Sequence, residues 1–220
     1  MTGHLTVREK IVPSVKRDPA GVRREILRVA SGMFARNGLS GTRIDEIASK
    51  TTTSKRMIYY YFGDKKGLYK VCLETAYAKV RSGEDKLDLG GLEPDEALAK
   101  LVRFTFDHHR RNPDFIRMVM IENIHDARYL GQSKTMAELS SAAIKKLSDI
   151  VRRGQEKNLF KPDLDPVELH WQISALSFFN VSNRPTFSVL YGMSLFEPEG
   201  QEALRDHATE MILRYASKPR

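Results

Sequence analysis

The stretch TRIDEIASKTTTSKRMIYYYFGDKKGLY, Thr42 to Tyr69, decides how this chain is read. Ile44, Ile47 and Ala48 recur at helical spacing, and Thr42 with Asp45 resembles a capping box in which Asp replaces Glu. Thr51-Thr52-Thr53 then makes a turn, because β-branched residues in series fit a helix poorly. Ser54 is placed to cap a second short helix, whose Met57, Ile58 and Tyr61 pack back on the preceding elements. That packing leaves Lys55, Arg56, Tyr59 and Tyr60 for the outside, and the basic pair Lys65-Lys66 follows. A short helix bearing cations and phenols after a tight turn predicts an element that enters a DNA major groove.

The flanking sequence agrees. Residues 1–17 read as a loose, mildly basic arm, and Asp18-Pro19 offers an N-cap with proline in the first turn. Val22, Ile26, Val29, Ala30, Met33 and Phe34 form an amphipathic helix that Asn37-Gly38 ends. Residues 18–63 thus make a three-helix DNA-binding domain with little core of its own, expected to lean on a fourth helix over 64–81. Residues 83–94 read as a loop, and further helices are predicted over 95–111, 114–129, 133–157, 166–182 and 199–217. No strand pattern is present, so the fold is all-α, with 64–220 as a helical effector-binding and dimerisation domain.

Charge divides along the same line. Residues 1–70 hold 15 Lys/Arg against 6 Asp/Glu, a net +9, while the remaining 150 residues carry −1. The excess therefore sits where nucleic acid would be held, which a generally basic surface would not produce. A single cysteine, Cys72, excludes an intramolecular disulfide framework and is read as an inert buried thiol. With no membrane-length apolar run and no secretory leader, the protein is expected in the cytoplasm.

Catalytic and metal chemistry is poorly represented. No phosphate loop, nucleophile elbow or H-E-x-x-H occurs, so neither an enzyme nor a cofactor or metal is expected. Glu122 and His125 have metal-ligand spacing, but no second copy accompanies them and a surface pair is expected. His108 and His109 point different ways around a helix.

Phe34 to Gly38, Thr42 followed by Ile47-Ala48, the run Ser54 to Phe62, and Lys66 followed by Leu68-Tyr69 together resemble the TetR family of bacterial transcriptional regulators, over about residues 20–73. One departure is Thr52, which stands where glycine is usual, so the turn must reach its geometry without the permissive residue. The resemblance implies DNA contacts from Thr42, Arg43, Thr53, Ser54, Lys55, Arg56, Tyr59, Tyr60 and Lys66. Thr42 would hold phosphate at a helix N-terminus, Arg56 would grip guanine, and Lys55 would take either. Tyr59 and Tyr60 would touch phosphates or thymine methyls, with core packing as the other reading of Tyr59. Lys66 would anchor the backbone, Lys65 would be a solvated charge, and Tyr61 and Phe62 would be core.

For the C-terminal part, the resemblance implies dimerisation through the last two long helices and a small-molecule pocket among the middle ones. Trp171, Ser174 and Phe178 share one helical face, and Met120, Asn123 and Ile124 another; each is apolar with one polar group, as ligand pockets are and as plain cores also are. The run Phe178 to Phe187 is similar to a TetR subgroup that includes pyrimidine-catabolism regulators, and no ligand is carried over from it. The expectation is a homodimeric, effector-responsive repressor on a near-palindromic double-stranded operator. An activator or effector-independent DNA-binding protein, and a helical enzyme with an accessory DNA domain, are the other classes.

Overall fold

A computed structural model describes residues 18–219; the arm expected over residues 1–17 lies outside them. Among the described residues there are ten α-helices and no strand. They are α1 Pro19–Gly41, α2 Ile44–Ser49, α3 Lys55–Phe62, α4 Lys65–Asp85, α5 Pro94–Arg111, α6 Pro113–Ile124, α7 Lys134–Glu156, α8 Pro166–Ser182, α9 Arg184–Tyr191 and α10 Pro198–Ala216. None is long and apolar enough to cross a membrane.

The helix starts follow side-chain caps. Asp18, Ser54, Asp64, Ser133 and Asp165 each accept a backbone N–H of the first turn they precede. Two cores result. Ile26, Ala30, Phe34, Ile47, Ile58 and Phe62 are joined by Leu68, Tyr69, Cys72 and Leu73 of α4 and by Met118 of α6. The second core lies among α5, α7, α8 and α10, around Leu98, Leu147, Phe160, Leu169 and Ile212.

The structure differs from the sequence reading in five places, one being that α4 runs on to Asp85, so Gly83 and Glu84 are helical and not part of the expected loop. Helical turns continue past Asn37-Gly38 to Gly41, with a break at Gly38 (φ 66°). The capping box at Thr42 does not form: its side chain is fully buried and its hydroxyl donates to the Gly38 carbonyl at 2.8 Å, and Arg43 is the N-cap of α2. The helix expected to 129 stops at Ile124, because Asp126 (φ 55°) and Ala127 (φ 53°) are left-handed. Finally, α9 has no counterpart in the sequence reading. Pro185 breaks α8 but suits the first turn of the next helix, and α9 buries no residue, so it shows no core-facing period.

Candidate nucleic-acid interface and effector cavity

Between α2 and α3 the turn is held by hydroxyls in place of a glycine. Thr51 Oγ1 donates within 3.1 Å of the Ile47 and Ala48 carbonyls, tying the turn to the end of α2. Glu25 on α1 then accepts both the Thr52 backbone N–H (3.3 Å) and the Thr52 hydroxyl (2.6 Å). Thr52 is not among the residues with positive φ. The turn is therefore compatible with an ordinary side chain, and Glu25 is a partner the sequence did not reveal.

Ile58 and Phe62 hold α3 against the core, and the opposite side is open: Tyr59 is 40% and Tyr60 78% exposed, and Lys55 and Arg56 are exposed beside them. Core packing of Tyr59 is thereby excluded. Lys55 meets Asp45 of α2 at 2.9 Å; that hydrogen bond holds the Asp45 carboxyl below and the Lys55 ammonium above their usual ranges. The pair fixes α3 relative to α2 and leaves Arg56 as the unpaired cation of the first turn among the described residues. Arg43 and Lys66 are exposed on the flanks, Ser54 is exposed while capping α3, and Thr53 is half-buried.

Two residues have other roles than the sequence suggested. Thr42 cannot offer its hydroxyl to a phosphate, since that group is buried and bonded to Gly38. Lys65 is no free surface charge: its ammonium donates to the Thr42 carbonyl at 3.1 Å and so ties α4 to the start of α2. Cys72 is buried, and burial pushes its thiol up to about 12.

A second feature lies in the C-terminal domain. A cavity of about 340 Å³ opens between α4, α5, α6 and α8. Asn123, Trp171, Ser174 and Phe178, four of the six expected pocket residues, surround it. Met120 and Ile124 do not; they face the end of α1 beside Arg36 and Leu39, because α6 is wedged between α1 and α8 and its predicted face straddles the two.

The sequence reading missed the cavity's charged wall. Arg81 and Glu84 form a buried ion pair at 2.6 Å, and burial raises the Glu84 carboxyl and lowers Arg81. His109 is 2.6 Å from the Thr105 carbonyl through Nδ1, so Nδ1 carries the proton and Nε2 is left as an acceptor. Burial, then the Arg81 charge, lowers the pKa of His170; burial likewise dominates at His109. The wall was legible in principle: Tyr77, Val80, Arg81 and Glu84 fall at i, i+3, i+4 and i+7, placing two charges on an otherwise apolar face.

The comparisons with known proteins fit this geometry. Residues 26–72 match the family described as "Bacterial regulatory proteins, tetR family", and residues 94–212 match "Tetracyclin repressor-like, C-terminal domain". The chain belongs to the TetR family. It is 33% identical over 192 residues to the HTH-type transcriptional repressor NicS of Pseudomonas putida, covering 87% of this chain and 91% of that one. It is 27% identical to the HTH-type transcriptional repressor SCO4008 of Streptomyces coelicolor, covering 92% and 98%. The fold is shared with the transcriptional regulator SCO4942 of Streptomyces coelicolor, at a TM-score of 0.69 and 24% identity over 90% of this chain and 99% of that one. TetR proteins are DNA-binding regulators, not enzymes, and they are typically dimers.

Proposed function

We propose that this TetR protein is an effector-responsive repressor that binds a near-palindromic operator as a C₂ dimer. The observation that carries the reading is α3, held by buried Ile58 and Phe62 while it offers Arg56, Tyr59 and Tyr60 to solvent. Arg56 would read a base edge, Tyr59 and Tyr60 would contact phosphate or thymine methyls, and Arg43, Lys55 and Lys66 would meet the backbone. Thr53 and Ser54 lie at the N-terminus of α3, the end that approaches the bases in this mode of docking. One such helix reads too few base pairs for a genomic site. Two act together at about 34–36 Å or a multiple of it, across a dimer contact built from α8 and α10.

The effector would occupy the cavity between α4, α5, α6 and α8. Aromatic walls from Phe115 and Phe178, with a few polar groups, suit a small organic molecule carrying a ring and hydrogen-bonding substituents. Binding would release DNA if the occupied state holds the recognition helices at the wrong spacing. The names of the two relatives above, both repressors, support repression over activation. Selection of random duplex DNA by the full-length protein tests the reading. An inverted repeat with two half-sites is expected; enrichment of no motif, or of one isolated half-site, refutes it.

A further inference from the structure

A groove of about 470 Å³ lies where α1 meets α4 and the turn from α5 into α6. Its floor is apolar, from Leu27, Ala76, Phe115 and Met118. Its rim is basic: Arg24 and Arg28 come from α1, Lys79 from α4 and Arg111 from the end of α5, and all four are exposed. The one carboxylate among the described lining residues is Asp114, which bonds Arg117, outside the groove, at 3.4 Å. Four cations against one carboxylate leave an excess of three. Partners within the protein do little to cancel it. Arg28 has no hydrogen-bond or ion-pair partner among the described residues. Lys79 donates to the neutral Asn112 Oδ1 at 2.7 Å, which orients its ammonium without discharging it. Arg111 reaches Asp107 at 3.6 Å, and that carboxylate also serves Arg110 and Arg205. Arg24 meets Asp18 at 3.3 Å in a pair open to water on both sides, a contact of little strength. No side chain caps α6, whose Pro113, Asp114 and Phe115 line the same groove, so its N-terminal end adds to the positive field.

Three helices distant in sequence thus bring like charges into one concave site, where they repel one another until an anion enters. The groove lies away from the DNA face. Lys79 is about 21 Å along α4 from Lys65, at 1.5 Å per residue, and α1 turns Glu25, not Arg24 or Arg28, to the α2–α3 turn. We propose that this groove binds a small organic phosphate. The phosphate group is held among Arg28, Lys79 and Arg111, and the apolar body lies on Leu27, Phe115 and Met118. A phosphate monoester brings close to two negative charges and three acceptor oxygens, which suits three uncompensated cations and the arginine fork; a carboxylate brings one charge. The occupant bridges α1 of the DNA-binding unit to the C-terminal domain. Phe115 also lines the cavity among α4, α5, α6 and α8, yet the two sites are assigned from different residues, so neither proposal depends on the other.

Calorimetric titration of the full-length protein with phenyl phosphate, at constant ionic strength in a phosphate-free buffer, tests the site. One molecule per chain is expected, bound about tenfold more tightly than benzoate, which has a similar body and a smaller charge. Arg28→Gln alters an exposed side chain with no partner, so the fold should be kept while binding weakens about tenfold. Arg214→Gln, the same change of charge on α10, should leave binding as it is. No saturable uptake of phenyl phosphate at millimolar concentration, or equal affinity for benzoate, overturns the proposal. Equal weakening by Arg214→Gln does the same, because binding would then follow net charge alone. Trp171 lines the cavity among α4, α5, α6 and α8 and not the groove. Binding lost in Trp171→Ala and kept in Arg28→Gln would put the molecule in that cavity and remove the groove. The salt slope for random duplex DNA should be the same in Arg28→Gln as in the parent; a drop of about one counterion would make Arg28 a DNA contact and also overturn the proposal.

Discussion

Glu122 gives the sharpest energetic prediction. It sits in the last turn of α6, 1% exposed, and Oε2 accepts the backbone N–H groups of Tyr129 (3.1 Å) and Leu130 (3.0 Å). Those bonds hold a strap, residues 125–133, whose Asp126 and Ala127 occupy the left-handed region at a cost of about 1–2 kcal/mol each. The strap in turn grips α4. Lys70 donates to the Gln132 carbonyl at 2.8 Å, the Ser133 hydroxyl donates to Glu74, and the Tyr129 ring meets that of Tyr69. Burial, and after it the Glu122 charge, pushes the Tyr69 phenol above its ordinary range.

In Glu122→Ala two charge-assisted bonds vanish, each worth about 1.5–3 kcal/mol, while the desolvation of a buried carboxylate is relieved. The net loss expected is about 2–4 kcal/mol, or a fall in Tm of roughly 5–12 °C for a chain of this size. Glu122→Gln keeps one acceptor oxygen and should lose about half as much. Urea unfolding at fixed protein concentration measures both. Hydrogen exchange locates the effect, because the Tyr129 and Leu130 amides should exchange faster in Glu122→Ala. A loss below about 0.5 kcal/mol, the range of ordinary surface substitutions, with those amides still protected would refute the reasoning.

Other predictions concern the DNA face and pH. Arg56→Ala should remove about 1–3 kcal/mol of discrimination at one position per half-site; an unchanged ranking of operator variants would make Arg56 a backbone contact. Lys66→Ala should weaken binding to all sequences alike and reduce the salt slope by about one counterion per half-site, as titration in increasing salt would show. Glu25→Ala and Thr52→Ala should each lower operator affinity about fivefold, and the double variant no further, because both break one contact. His108 has both ring nitrogens buried without a protein partner among the described residues, and burial lowers its pKa from 6.5 to about 4. The unfolded chain then binds the extra proton between those values, so stability falls as pH drops, by at most about 2 kcal/mol from pH 7 to pH 5. Urea midpoints at the two pH values should show this slope in the parent and a smaller one in His108→Phe, the remainder coming from His109 and His170, whose pKa values burial also lowers.

What the sequence made legible follows from local physics. Asp165-Pro166 marks the start of α8, and Ser54 the start of α3, because a cap and a proline act within one turn. The outward set on α3 was readable because Ile58 and Phe62 alternate with it at helical spacing. What failed depends on contacts distant in sequence. Glu25 reaches Thr52 across 27 residues, and Glu122 turns inward only because the strap folds back over it. A carboxylate three residues before a histidine looks like a surface pair until its backbone partners are known. Lys65 was misread for the same reason, its acceptor being a carbonyl 23 residues earlier. The cavity among α4, α5, α6 and α8 was half legible: its apolar face on α8 has a period, whereas Arg81 and Glu84 look like ordinary surface charges until three other helices cover them.

The two sites share their supports. The DNA-binding helices have no complete core without Leu68, Tyr69, Cys72 and Leu73 from α4 and Met118 from α6. The same two helices line the cavity, α4 through Tyr77 and Arg81 and α6 through Phe115 and Asn123. With a rise of about 1.5 Å per residue, α4 spans roughly 30 Å from Lys65 at the recognition unit to its far end beside the cavity. A packed interior repacks in steps and resists gradual deformation, so a shift of α6 would press on α1 directly and on α3 through α4. No separate relay of side chains is required. Glu122 stands where this shared support is bonded together, next in sequence to Asn123 at the cavity and close enough to Tyr69, beneath the DNA-binding unit, for its charge to act on the phenol.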